Sequence, residues 1–452
     1  HNQPTAQYYR VTTDNSFPYR IYVAQQDNST QRVRHRSSGS GISASDWEAT
    51  AGGESAHIAI DPLNNDIVYG GSYGGFLTRV NHSANTVRGI NVWPDNPMGY
   101  GAEGMKYRFQ WNFPIHFSKH NPKKLYTFSN HVHVSENEGQ SWEIISPDLT
   151  RNAPEKLKSS GGPITQDNTG VEYYCTIFAV DESPLQEGLM WVGSDDGLLH
   201  LTRDGGKNWE NVTPSIMPKW LMINSIDASP FDPAVSYVAG TLYKTGDFKP
   251  YLYKTTDYGK TWTQITNGIP SEHFTRVLRA DPAKKGLLYA GTETGMYISH
   301  DDGASWNPFQ LNLPIVPITD LTLKENSLIV ATQGRSIWIL DDLTVLHQID
   351  QNTASQPMTL FQPKDSYRTQ GRGGKPSLTQ GTNLPNGVIV HFNVKEFDGE
   401  NDTVALHFKE QDGTLIKTFS TTDEENKLEI NAGGNSFGWN TRYEGATPLA
   451  DM

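Results

Sequence analysis

Acids and aromatic residues stand between the apolar runs of this chain: Glu54, Glu103, Asp167, Glu172, Asp195, Glu293 and Asp320, with Arg108, Trp111, Trp220 and Asn224. Such a mixture suits carbohydrate. An indole stacks on a sugar face, and a carboxylate accepts hydrogen bonds from its hydroxyls. Two such acids could cleave a glycosidic bond, at separations of about 5–5.5 Å for retention and about 6.5–9.5 Å for inversion. Each acid also has a structural reading. Asp195 and Glu293 flank Asp196-Gly197 and Thr294-Gly295, ordinary hairpin turns, and acids lining a channel commonly hold water or cap strand ends.

Other chemistries find less support. His131 and His133 have the spacing of two ligands on one strand face, but no third ligand is identifiable, so neither a metal nor another cofactor is expected. The one cysteine, Cys175, sits in Tyr173-Tyr174-Cys175-Thr176-Ile177 and reads as a small buried hydrophobe rather than a nucleophile. It excludes an internal disulfide framework. Four Asn-x-Ser/Thr stretches, at Asn28, Asn81, Asn211 and Asn401, match the glycosylation sequon.

The elements that must position these residues are repeats. An octet, Ser/Thr-x-Asp/Asn-x-Gly-x-(Ser/Thr/Asn)-Trp, occurs four times, with Asn137 and Trp142, Asp204 and Trp209, Asp257 and Trp262, and Asp301 and Trp306 as its fixed points. Its chemistry is structural. The acid or amide accepts backbone N–H bonds across a tight turn, glycine supplies a positive φ, and tryptophan packs between sheets. A looser repeat places a turn such as Asp61-Pro62, Asn121-Pro122, Ser183-Pro184, Asp232-Pro233 or Asp281-Pro282 before an apolar strand, which usually ends in small residues. With degenerate copies at Phe17-Pro18 and Glu325-Asn326 there are seven units of about 35–55 residues, the size of four-stranded propeller blades.

The expectation is therefore an all-β chain: a seven-bladed β-propeller over 1–349, its first blade near Ala6–Gly53 and its last near Pro317–Leu346. A linker over 350–386 contains Gly371-Arg372-Gly373-Gly374-Lys375-Pro376. An incomplete Ig-like β-sandwich over 387–452 should pair Val404–Phe408 with Leu415–Phe419 across Asp412-Gly413. If the octet turns mark one face of the disc, the acids and aromatics of the opening paragraph belong to the other. A net charge of −13 without a Lys/Arg cluster argues against nucleic acid, and no run reaches the roughly 20 apolar residues of a membrane span. The start at His1 and the stop at Met452 suggest an excised piece.

The octets, with Ala24-Gln25-Gln26-Asp27-Asn28-Ser29, Gly162-Pro163-Ile164-Thr165-Gln166-Asp167-Asn168-Thr169 and Gly334-Arg335-Ser336-Ile337-Trp338-Ile339-Leu340-Asp341-Asp342-Leu343, resemble large secreted bacterial Asp-box (BNR) repeat or sortilin-type propeller proteins, some loosely called glycosyl hydrolases. Phe437-Gly438-Trp439-Asn440 resembles their following Ig-like module. The resemblance implies a secreted, surface or periplasmic protein that recognises a glycan or protein partner without turnover, in some cases within a larger envelope assembly. The alternative is a glycoside hydrolase with a carboxylate pair on the propeller face, as in xyloglucanase-like enzymes that join two propellers across a cleft. A sialidase is disfavoured: its Arg-Ile-Pro motif has only the echo Tyr19-Arg20-Ile21-Tyr22 here.

Overall fold

The computed structural model describes residues 5–95, 101–167, 172–350, 352–367, 377 and 379–443. They fall into two compact units, His1–His35 with Ala44–Ile339, and Arg36–Ser43 with Leu340–Met452.

The first unit is a succession of antiparallel sheets, each built from strands adjacent in sequence. Six have four strands, and their first strands are Tyr8–Thr13, Ile58–Asp61, Ile115–Phe117, Ile177–Glu182, Met222–Ala228 and Thr275–Ala280. A seventh sheet has three described strands, Ile318–Lys324, Ser327–Thr332 and Ile337–Leu340. All seven first strands line one central cavity of about 600 Å³. The succession closes on itself: Gly334 N–H donates to Ala6 O at 2.8 Å, and Val11 N–H donates to Asp320 Oδ2 at 3.1 Å.

Second strands are covered on both faces, so they read as unbroken apolar or small runs; Met190–Ser194, Leu288–Thr292 and Ser327–Thr332 are buried throughout. Their small ends have a steric cause. A Cβ on Gly193 would lie 2.5 Å from Ile223 Cγ2, and one on Gly291 would lie 2.6 Å from Ile318 Cγ2. The next sheet comes too close for a side chain.

Each octet forms the turn between the third and fourth strands of its sheet. The leading hydroxyl accepts the glycine N–H at 2.9 Å in Ser135–Gly139, Thr202–Gly206, Thr255–Gly259 and Ser299–Gly303. Asn137, Asp204, Asp257 and Asp301 accept the N–H four residues on at 2.8–3.0 Å. The glycines take φ from +77° to +94°. The indole N–H groups of Trp142, Trp209, Trp262 and Trp306 reach the backbone oxygens of Ile90, Ile145, Val212 and Ile265 at 2.7–2.9 Å. Each clasps the sheet before its own.

In the second unit Val388–Val394 pairs with Gly433–Trp439 on one side and with Met358–Leu360 on the other. Met358–Leu360 thus gives an edge strand to a sheet from within the 350–386 stretch. Ala405–Lys409 pairs with Leu415–Ser420. Val390, Phe392, Val394, Val404 and Leu428 form the core of this unit. Residues 371–376, the Gly-rich segment, and the chain end from 444 lie outside the described residues.

Candidate functional site

Leu125 pairs with both Phe117 and Ser135, so the octet turns and the proline turns share one end of the strands. The loops entering first strands, and those joining second to third strands, lie at the other end. The candidate residues separate between that open face and the central cavity.

Asp320 and Asn224 line the cavity. Asp320 is held by Arg279 at 2.8 Å and by the Val11 N–H at 3.1 Å, with Arg10 at 4.0 Å. Arg279 also donates to Ser225 Oγ at 2.6 Å and Leu321 O at 2.9 Å, and Arg10 donates to Asn224 O at 2.9 Å. Asp181 and Asp227 repeat the device, accepting the N–H groups of Ala228 and Ala280, each at 2.8 Å and each on the next sheet. Burial pushes Asp227 up to about 7, with Arg279 pulling the other way. These acids join neighbouring sheets and are engaged by protein groups.

The open face carries three aromatic platforms. At the first, Trp111 stacks on Tyr73 at 5.2 Å with 16° between planes, and the Tyr9 hydroxyl, which donates to Gln26 Oε1 and accepts from Gln7 Nε2, lies beside them. Glu54 stands by this group, its Oε2 accepting the Asp27 N–H at 3.1 Å, and its charge helps to raise the Tyr9 phenol after burial. At the second, Tyr243 stacks on Phe274 at 4.9 Å, with the half-exposed Phe248 beside them. Arg276 lies over both stacked rings and grips Glu293 through two nitrogens at 2.7 and 2.8 Å. At the third, Trp220 stands 6.2 Å from Tyr174.

The other candidates divide plainly. Asp195 is 2% exposed and accepts both the N–H and the hydroxyl of Thr176, at 2.9 and 2.7 Å. Burial pushes it up to about 7 against those two bonds. Arg108 is buried and donates to Cys175 O, Asp148 and Thr150, so it braces loops. Glu103 and Glu172 are exposed, and the Asp167 side chain lies outside the described part. Burial lifts the Cys175 thiol to about 12, and His133, pushed down to about 3, is bonded to Ser129. Tyr9, Tyr73, Tyr174, Tyr243 and Phe274 were absent from the sequence-level set. The same positional rule, loops entering first strands and loops joining second to third, would have found Tyr73, Tyr174, Tyr243 and Phe274.

No family model matches the chain. Over 302 residues it is 26% identical to the oligoxyloglucan-reducing end-specific xyloglucanase of Emericella nidulans, a match covering 57% of this chain and 34% of that protein. The chain thus spans about a third of the curated relative. Among solved structures, the GH74 xyloglucanase of Xanthomonas campestris superposes with a TM-score of 0.52 at 15% identity, over 86% of this chain and 58% of that one. The GH74 enzyme of Niastella koreensis gives 0.51 at 13%, over 87% and 58%. YCF48 from Cyanidioschyzon merolae gives 0.51 at 12%, over 74% and 94%. The fold is of the propeller type that these proteins share. The likeness shows the propeller fold and does not single out Asp-box or sortilin proteins. Among the described residues no helix is long and apolar enough to cross a membrane.

Proposed function

We propose that this chain is the propeller portion of a glycoside-hydrolase-like protein that engages a xyloglucan-type polysaccharide outside the cell. The partly exposed rings of Tyr73, Trp111, Tyr174, Trp220 and Tyr243 on the open face carry this reading, because accessible rings beside hydrogen-bonding groups are what a sugar chain requires. The xyloglucanase match supplies the ligand class. In this reading the seven sheets are seven blades filling 1–349, and the C-terminal unit is an Ig-like accessory over 387–452 joined through 350–386. Glu54, beside the Trp111 platform, is the carboxylate we assign to the reaction, with one oxygen held by Asp27 N–H.

A binding role without turnover is the second reading. It is favoured because Glu293 and Asp320 are neutralised by arginines and Asp195 is buried. One pair of measurements separates the two. Binding of xyloglucan by titration calorimetry and release of reducing ends are followed for the parent, Trp111→Ala and Glu54→Gln. Trp111→Ala is expected to weaken binding about tenfold or more, the loss of one stacking contact of about 1.5 kcal/mol. Glu54→Gln abolishes product release while binding persists in the hydrolase reading. Product release that survives Glu54→Gln removes that residue from catalysis, and a parent that binds no β-glucan refutes the proposal.

A further inference from the structure

The protein has 37 basic against 50 acidic residues, yet three cations converge on a single ring at its open face. Arg151 Cζ and Lys219 Nζ each lie 5.1 Å from the Trp220 ring centre, and Lys156 Nζ lies 5.6 Å away. Among the described residues, no carboxylate oxygen comes within 4.0 Å of their side-chain nitrogens. Arg151 is fixed, its Nε donating to Asp196 O at 2.7 Å and a terminal nitrogen to Gly197 O at 3.3 Å. Lys156 projects from the short helix Pro154–Leu157, pinned by buried Leu157. Both lysines are exposed. The Asp196 carboxylate stands behind Arg151, accepting its backbone N–H at 2.8 Å, so the two exposed lysines are the charges left facing solvent, and attraction to one indole offsets only part of their mutual repulsion.

Trp220 is itself held unusually. Its φ is +71°, a left-handed conformation that is unfavourable for a bulky residue. It packs against the cluster of Ala102, Ala153, Leu157, Tyr173 and Cys175, so the indole is pinned rather than loose. A rigid, partly exposed ring with two exposed lysines and Arg151 gathered over it suits a flat, negatively charged unit.

We propose that Trp220, Arg151, Lys156 and Lys219 form a subsite for an anionic sugar, a uronate residue of an acidic polysaccharide. The pyranose stacks on the indole, and its carboxylate takes the two lysine ammonium groups, whose flexible stems swing from the ring to the ligand, with Arg151 behind them. The proposal rests on the glycan reading above and deepens it, because a neutral glucan would leave the three cations unused.

The test compares an oligogalacturonide with its carboxyl-reduced, neutral counterpart by titration calorimetry on the full chain. The acidic oligomer is expected to bind about tenfold more tightly at about 0.02 M salt, with the advantage shrinking at about 0.3 M as screening sets in. Lys156→Gln/Lys219→Gln is expected to remove that advantage while leaving xyloglucan binding at the Trp111 platform unchanged. Trp220→Ala should weaken both oligomers. Equal affinity for the acidic and reduced forms overturns the subsite, as does an advantage that survives the double lysine variant or no binding of the acidic oligomer. Loss of xyloglucan binding alongside a retained, lysine-dependent advantage overturns the neutral-glucan reading and leaves the subsite standing.

Discussion

Asp195 offers a sharp test of how burial governs this protein. In the unfolded chain it gives up its proton near 3.8, whereas in the folded protein burial holds the proton up to about 7. Between those values the folded state binds more protons than the unfolded one, so stability falls as pH rises. The contribution is intact below about pH 4 and gone above about pH 7. At about 1.36 kcal/mol for each pH unit, the span from 3.8 to about 7 amounts to roughly 4 kcal/mol. Asp195→Asn removes the titration but alters the bond from the Thr176 hydroxyl, a cost of about 1 kcal/mol. The variant is therefore expected to be about 0.5 kcal/mol less stable than the parent at pH 4 and about 3 kcal/mol more stable at pH 8, the two curves crossing at about pH 4.5. Urea unfolding followed by tryptophan fluorescence across that range measures the difference directly. A difference that does not change with pH, or a variant less stable at pH 8, would refute the argument.

Thr255→Val keeps the shape of an octet while stranding the Gly259 N–H, which Thr255 Oγ1 accepts at 2.9 Å, and is expected to cost about 1–3 kcal/mol in denaturant unfolding. Trp306→Phe removes the indole bond to Ile265 O at a nearly buried position, for about 2 kcal/mol by the same measurement. Asp320→Ala leaves Arg279 and Arg10 facing the cavity without their counter-ion and frees the Val11 N–H. A loss of about 3–5 kcal/mol is expected, with Asp320→Asn milder in a thermal melt; a parent-like melting temperature for Asp320→Ala would remove its closing role.

Much of the architecture was legible because each octet is a complete local instruction. Hydroxyl, acid, glycine and tryptophan each meet a partner within the turn or one sheet away, so the octet announces a tight turn, and the structure places that turn between third and fourth strands. The small ends of second strands were equally readable, since Gly193 and Gly291 report the approach of the next sheet. The candidate face was read only in part. Glu54, Trp111, Trp220 and Glu293 do reach it, but Asp320 and Asn224 point into the cavity, and Asp195 is sealed beneath Thr176. The difference is a matter of one or two residues along a strand, where inward and outward positions alternate and sequence spacing carries no depth. Nor did sequence reveal that Arg36–Ser43 leaves the first unit for the second, because its pairing partner near Gly381 lies more than 300 residues away in the chain.

The indole clasps are unevenly distributed around the first unit. They bind the second sheet to the third and continue through to the sixth, and among the described residues none crosses from the first sheet to the second, from the sixth to the seventh, or from the seventh back to the first. One arc is therefore riveted and the other is held by the backbone bond from Gly334 to Ala6, the Asp320 cluster and side-chain bonds such as Asn15 N–H to Asn65 and Lys324 to Asn15. Transient opening should begin where the rivets are missing, so amide exchange should be fastest in the strands nearest residues 8–34 and 318–340 and slowest around 190–255. The two ends of the unit's chain meet within that looser arc, giving the ring a built-in seam.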